Sequence, residues 1–278
     1  MNDAEKTMPL VFVVSDFGAG DLAFAEIKRK IKGTIRNADI DYITVQPYST
    51  ISTGFCIYQL ALDGEGRESE RGTYIFSNTA PRRDDPNPRR DNEGEPVVYA
   101  KLKTGLEVFA VNSGYTFSFV KPMIERFMAV KVDNRGSQFR SRDRYPGPFT
   151  SIMNGDYSVL GNELDAGRIP EPPRDRIAYV DGYGNIKLTT RASDLGLKQG
   201  EKIEVEVGHN MLFGTYTEGM FGIKEGELSV SPGSSGPSED RFLQVSIRLG
   251  NAWEKLGKPA VEERITIKKG EDRVGLQH

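Results

Sequence analysis

The chain has 278 residues, with 37 Lys+Arg against 40 Asp+Glu and a formal net charge of −3. That balance leaves no overall basic footprint and argues against nucleic acid or an anionic membrane as partner. A single cysteine, Cys56, excludes an internal disulfide and a multi-cysteine metal centre.

Met1 to Pro9 is polar and acidic, without the pattern of a secretory signal, and the apolar runs are too short to span a bilayer. A cytoplasmic protein with no membrane partner is expected. Leu10-Val-Phe-Val-Val14 is a short apolar run rich in β-branched residues, the pattern of a buried strand. The loop Ser15 to Asp21 follows, then apolar residues at helical spacing from Leu22 to Ile35 with Lys28, Arg29, Lys30 and Lys32 on the other face. Asp41–Val45 reads as a strand, Ile51–Leu62 as a helix and Thr73–Ser77 as a third strand, while Val97–Ala100 and Glu107–Val111 extend the sheet. This alternation predicts an α/β N-terminal domain, residues 1–160, with a largely parallel sheet. Within it, Arg82 to Pro96 has three prolines and mixed charge and reads as an exposed loop.

Gly161 to Arg176, carrying Pro170, Pro172 and Pro173, reads as a linker. Beyond it the pattern is of strands alone: Ile177–Val180, Lys202–Val207, Gly226–Val230, Phe242–Ile247 and Arg264–Ile267. Residues 177–278 are therefore expected to form a smaller antiparallel β-barrel or sandwich.

The chain has two histidines, of which His278 is the last residue, so a zinc site built on several histidines is excluded. His209, in Gly208-His209-Asn210, reads as a surface or turn residue, and no Gly-x-Ser-x-Gly elbow is present. Chemistry must then rest on carboxylates, hydroxyls, amides and arginines. Asp16 and Asp21 bracket the first strand-to-helix loop, where α/β sheets bind ligands, although Asp21 also suits a helix N-cap. Asp181-Gly-Tyr-Gly-Asn185 is either a hairpin turn or an acceptor–amide pair able to hold the two ends of an amino acid. Gly233-Ser234-Ser235-Gly236 is a turn or an anion nest. The three arginines at 140, 142 and 144 either hold an anion or pair with Asp143.

Taken in order, these segments resemble the S-adenosylmethionine hydroxide adenosyltransferase family, which also contains the fluorinase and chlorinase. Ser15-Asp16-Phe17-Gly18-x-x-Asp21 is similar to its Thr-Asp-Phe-Gly-x-x-Asp, Gln46-Pro47-Tyr48 to its adenosine loop, and Ala110-Val-Asn112-Ser113-Gly114 to its Gly-Pro-Asp-Asn-Gly. Gly72-Thr73 and Ala80-Pro81 fall where the family has Gly-Thr and Asp-Pro-Gly-Val-Gly. Phe139-Arg-Ser-Arg142-Asp143 resembles Phe-His-Gly-Arg-Asp, and Asp181 to Asn185 resembles Asp-x-Phe-Gly-Asn at the same spacing. Thr215-Tyr216, Gly226-Glu227-Leu228 and Ser234-Ser235-Gly236 follow in the family's order, so that the likeness spans Pro9 to Gly257.

The resemblance implies a nucleoside site and a homotrimer, each site lying between one subunit's N-terminal domain and its neighbour's C-terminal domain. Asp16 would hold the ribose hydroxyls, Tyr48 would pack on the nucleoside and Tyr216 on adenine. Asp181 and Asn185 would bind the methionine moiety, with Asp21, Ser234 and Ser235 nearby. The implied reaction is attack of water on the ribose 5′ carbon of S-adenosylmethionine, giving adenosine and L-methionine, with no further cofactor and no metal. The family positions its water with an Asp, an Arg and a His. Here Ala80 stands at the Asp position and Arg140 at the His position, while Ser141 stands where the fluorinase has its halide-contacting serine. Arg140 and Ser141 are thus the catalytic candidates. The alternatives are an inactive S-adenosylmethionine- or adenosine-binding protein, a halide-using homologue, and a phosphate or polyanion binder using Arg82, Arg83, Arg89, Arg90, Arg140 and Arg142.

Overall fold

A computed structural model describes residues 8–62, 72–81, 87, 94–133 and 137–270. The chain divides into two compact units, Met1–Glu171 and Pro172–His278.

The first unit runs β1 (Leu10–Ser15), α1 (Leu22–Thr34), β2 (Asp39–Thr44), α2 (Thr50–Leu62), β3 (Thr73–Asn78), β4 (Val97–Leu102), β5 (Glu107–Val111), β6 (Ile124–Val130), α3 (Arg140–Asp143), α4 (Pro146–Met153) and β7 (Leu160–Glu163). They form one seven-stranded sheet in the order β2-β1-β3-β5-β4-β6-β7. The first four neighbours are parallel and the rest antiparallel, so the sheet is mixed and its parallel character is confined to one half. The reason lies in chain length. The helix-bearing segments are long enough for parallel crossovers, whereas the short turn from Leu102 to Leu106, with Gly105 at φ 85°, can only return antiparallel.

Asp21 starts α1 by accepting the Ala23 N–H at 2.8 Å, and the helix buries Phe24, Ile27 and Ile31. Those side chains pack on the sheet face that carries Val11, Val13, Phe76, Phe109 and Val111, joined by Phe149 and Ile152 of α4. Phe76, Phe109 and Phe149 meet ring to ring at 5.3–5.7 Å, and each contributes about 2–3 kcal/mol through burial. The apolar helix α2 is buried around most of its circumference. Its Gly54 permits close approach, since a Cβ there would collide with the Tyr115 carbonyl.

The second unit contains β8 (Ile177–Val180), β9 (Ile186–Arg191), α5 (Ala192–Leu195), β10 (Lys202–Val207), β11 (Asn210–Tyr216), β12 (Leu228–Pro232), β13 (Phe242–Ile247), α6 (Ala252–Lys255) and β14 (Ile265–Lys269). It too is one seven-stranded sheet, in the order β14-β10-β11-β12-β13-β9-β8. All its pairs are antiparallel except β11 with β12. Its outer strands also meet: Arg176 bridges Arg264, Ile177 donates to the Glu263 carbonyl at 3.0 Å and Glu262 donates to the Ile177 carbonyl at 2.8 Å. The sheet therefore closes on itself there, around a core of Ile186, Leu188, Val205, Val230, Leu243 and Val245.

The stretch read as a linker begins instead with structure. Leu160–Glu163 is β7, and Ala166–Arg168 forms a 3-10 turn capped by Asp165, so the boundary falls at Glu171/Pro172. No helix among the described residues is long and apolar enough to cross a membrane.

Candidate functional site

The parallel strands β1, β2 and β3 end side by side, and each hands its next residues to one cavity. Asp16 and Phe17 follow β1, Pro47 and Tyr48 follow β2, and Asn78 closes β3 with Ala80 beyond it. The spatial order β2-β1-β3 reverses direction at β1, the crevice where open α/β sheets bind ligands. Ser15 pins the two central strand ends together by donating from Oγ to the Asn78 carbonyl at 2.7 Å. The remaining wall comes from Gly94 and Glu95 ahead of β4, and from Gln138 to Ser141 and Tyr145 around α3. The cavity holds about 520 Å³, a volume suited to a nucleoside-sized ligand.

Tyr48 sits at φ 63°, a left-handed conformation that costs a bulky residue on the order of 1–2 kcal/mol. The Asp16 carboxylate offsets this cost, because its Oδ2 accepts the Tyr48 N–H at 3.0 Å. One carboxylate thus both faces the cavity and holds the loop that presents the Tyr48 ring.

Arg140 opens α3. Its Nη2 donates to the Glu95 carbonyl at 3.2 Å, and its guanidinium lies 5.7 Å from the centre of the Tyr145 ring. Gly94 makes room for it, since a Cβ there would collide with Nη2. Glu95 lines the cavity while only 5% exposed. Burial pushes the Tyr145 hydroxyl up to about 12, with Arg140 opposing and Glu95 reinforcing the rise. Among the described lining residues the charged ones are Asp16, Glu95 and Arg140.

Arg142 does not serve the cavity. It makes a two-pronged contact with Asp143, from Nε at 3.0 Å and Nη2 at 3.1 Å, reaches Glu26 at 3.4 Å and stacks on Phe139. This is the pairing with Asp143 that the sequence offered as one of its two readings. Arg82, Arg83, Arg89 and Arg90 lie outside the described residues. The Asp21 side chain caps α1, and Asp21 is not among the described residues that line the cavity.

The structure brings Asp16, Tyr48, Arg140 and Ser141 around one space. The other candidates belong to the second unit. Asp181 closes the turn between β8 and β9, its Oδ1 accepting the Tyr183 and Asn185 N–H groups and its Oδ2 accepting Asn185 Nδ2, all at 3.0 Å. This is the hairpin reading of that motif, with Tyr183 exposed at its tip. Ser234 and Ser235 receive hydrogen bonds from Lys187 Nζ at 2.6 and 3.3 Å, so that turn already carries a cation. Tyr216 is buried in the unit's core, with its hydroxyl pushed up by burial and by Glu218. His209 lies in the exposed turn between β10 and β11, and no group of His, Cys, Asp and Glu that could hold a metal occurs among the described residues.

Sequence reasoning missed Asn78, Glu95 and Gln138. Glu95 was hidden in a charged stretch read as an exposed loop. The available signal was its place immediately before Pro96 and the apolar run that becomes β4.

Neither a known family nor a curated protein matches the chain. Among solved structures, the fold is similar to an uncharacterized conserved protein from Thermotoga maritima, with a TM-score of 0.72 and 18% identity over 93% of this chain and 100% of that one. It is also similar to a conserved hypothetical protein from Thermus thermophilus, with a TM-score of 0.66 and 18% identity over 94% of this chain and 100% of that one. At such identity the likeness extends to the fold alone.

Proposed function

We propose that the chain is a divergent relative of the S-adenosylmethionine hydroxide adenosyltransferases, which binds S-adenosylmethionine in the cavity at the ends of β1, β2 and β3 and hydrolyses it to adenosine and L-methionine. The observation that carries this reading is Asp16, a carboxylate at the carboxyl end of the first parallel strand, facing the cavity beside the Tyr48 ring. A carboxylate accepts from both hydroxyls of a ribose, and a tyrosine ring offers a face to a base. The Asp16 carboxylate in the lining also suits the sulfonium cation.

In the reaction a water oxygen forms a bond to C5′ on the side opposite sulfur. The C5′–S bond breaks with its electron pair passing to sulfur, and one proton leaves the attacking water. The leaving group is already activated by its charge, so the protein's tasks are alignment and exclusion of bulk water. Arg140 and Ser141 offer donors to the incoming oxygen. Asp181, Asn185, Ser234 and Ser235 of a neighbouring copy would complete the methionine end in a homotrimer.

A second reading, a protein that binds the nucleoside without cutting, is favoured by Ala80, a side chain without chemistry in the cavity wall. Incubation with S-adenosylmethionine followed by chromatography separates the two. Adenosine and methionine in equal amounts support the hydrolase, and intact substrate with measurable binding supports the second. Formation of 5′-halo-adenosine in chloride or fluoride would identify Ser141 with halide use. Asp16→Ala is expected to weaken binding of both S-adenosylmethionine and adenosine by about 3 kcal/mol, roughly a hundredfold. Calorimetry showing unchanged affinity would remove the nucleoside reading altogether.

A further inference from the structure

Strand order gives the cavity a direction. β2, β1 and β3 lie side by side in that order, about 4.8 Å from one to the next. Tyr48, Asp16 and Asn78 stand at their ends in the same order, and all three line the cavity. Asp16 is the middle member. The Tyr48 N–H reaches its Oδ2 from the β2 side at 3.0 Å, and on the β3 side Asn78 lies opposite Ser15, the residue before Asp16. A nucleoside laid along this line, with its base on Tyr48 and its diol on Asp16, turns C5′ toward β3, because C5′ and the base stand on opposite sides of the ribose ring oxygen.

The group at that end is a carboxamide on a fixed support. The Asn78 carbonyl accepts from Ser15 Oγ at 2.7 Å. The next residue, Thr79, is buried and tied to α2, its Oγ1 lying 2.7 Å from Thr53 Oγ1, and its carbonyl accepts from Ser113 Oγ at 2.8 Å. Asn78 itself is half-buried. Its amide offers a donor at Nδ2 and an acceptor at Oδ1, the two functions that a hydroxyl can use in a partner. An anchored backbone limits the entropy lost when the side chain meets a ligand.

We infer that Asn78 is the residue that holds the oxygen on C5′, the 5′-hydroxyl of bound adenosine. This rests on the nucleoside reading above and adds to it the group that tells a 5′ oxygen from its absence. It bears on hydrolysis as well. The oxygen of the attacking water becomes that hydroxyl, so the carboxamide that holds the product oxygen also directs the incoming one at C5′. A carboxamide takes up no proton at working pH. Asn78 therefore orients the oxygen without serving as the base, and the proton ends in solvent.

Calorimetry tests this with adenosine and 5′-deoxyadenosine, which differ by that one oxygen, titrated into full-length wild type, Asn78→Ala and Asn78→Leu. Wild type is expected to prefer adenosine by about fivefold, the worth of one neutral hydrogen bond. Asn78→Ala is expected to bind the two equally, with 5′-deoxyadenosine within about twofold of its wild-type affinity. Affinity for S-adenosylmethionine, which carries sulfur and no oxygen on C5′, is expected to stay within about twofold while kcat falls about tenfold. A wild type that binds adenosine without the preference, or an Asn78→Ala that keeps it, overturns the assignment and leaves the nucleoside reading standing. A wild type that binds neither nucleoside overturns both. A wild type that binds S-adenosylmethionine without cutting it removes only the hydrolase, and the nucleoside comparison still decides Asn78. An unchanged kcat beside a lost preference overturns its part in directing the water. Should Asn78→Ala bind neither nucleoside, Asn78→Leu decides, since it keeps the side chain's shape without its polar atoms. Equal affinities then support the assignment, and a retained preference or the loss of both nucleosides overturns it.

Discussion

Asp143 is not part of the cavity wall, yet its two oxygens fix the segment that is. Oδ1 accepts from Lys30 Nζ at 2.9 Å and Arg142 Nε at 3.0 Å, while Oδ2 accepts from Ser137 Oγ at 2.5 Å and Arg142 Nη2 at 3.1 Å. The Arg142, Ser137 and Lys30 contacts hold its carboxyl well below the usual carboxylate range. A carboxyl depressed in the folded state contributes stability that is complete above its unfolded pKa, about 4, and is lost as pH falls below it. Asp143→Asn is therefore expected to cost about 2 kcal/mol at neutral pH and to flatten the acid side of the stability profile. Urea melts at pH 7 and pH 3 check this. A variant equal to wild type at pH 7 would show that Lys30 and Arg142 hold α3 without it.

At the scale of elements, a turn can depend on a helix far along the chain. Gly184 sits at φ 79°, and a Cβ there would run into the Asn251 side chain, which caps α6 by accepting the Glu254 N–H at 2.8 Å. Gly184→Ala is expected to cost about 2 kcal/mol, combining left-handed strain with loss of a cap. A thermal melt of the variant that overlays wild type would refute it. Elements of this kind were legible in the sequence to different degrees. Those with a continuous apolar run, β1, β3, β5 and β13, or a one-sided apolar pattern, α1 and β10, could be read within a residue or two, because burial leaves either a run or a period. β11 escaped because Met211 and Phe213 are exposed and its alternation points apolar residues outward. β6 and β7 escaped because they are set by pairing across the sheet, which leaves no local signature. The site divided in the same way. Asp16 and Tyr48 follow strand ends and could be found, whereas Glu95 reaches the cavity through long-range placement.

For the molecule as a whole, buried phenols set an alkaline limit. Tyr99 and Tyr145 are each 1% exposed; burial, and for Tyr99 also the bond to Glu107, raises both hydroxyls, Tyr145 to about 12. Below pH 10 folded and unfolded chains hold these protons equally. Above it the unfolded chain releases them first, so stability falls by about 1.4 kcal/mol per pH unit for each phenol. Denaturant melts at pH 8, 10 and 11 should show no change across the first interval and a clear loss across the second. The two sheets also differ in what they offer to a foreign strand. Where Arg176 meets Arg264 the second sheet pairs its own outer strands, leaving no free rim there for another chain to extend. The first sheet ends in β2 and β7, whose outer backbone groups invite addition. β2 guards its rim with the exposed acids Asp39 and Asp41, and β7 spans only Leu160–Glu163. Neutralising Asp39 and Asp41 together would strip one of those guards and leave β2 a readier template for a foreign strand.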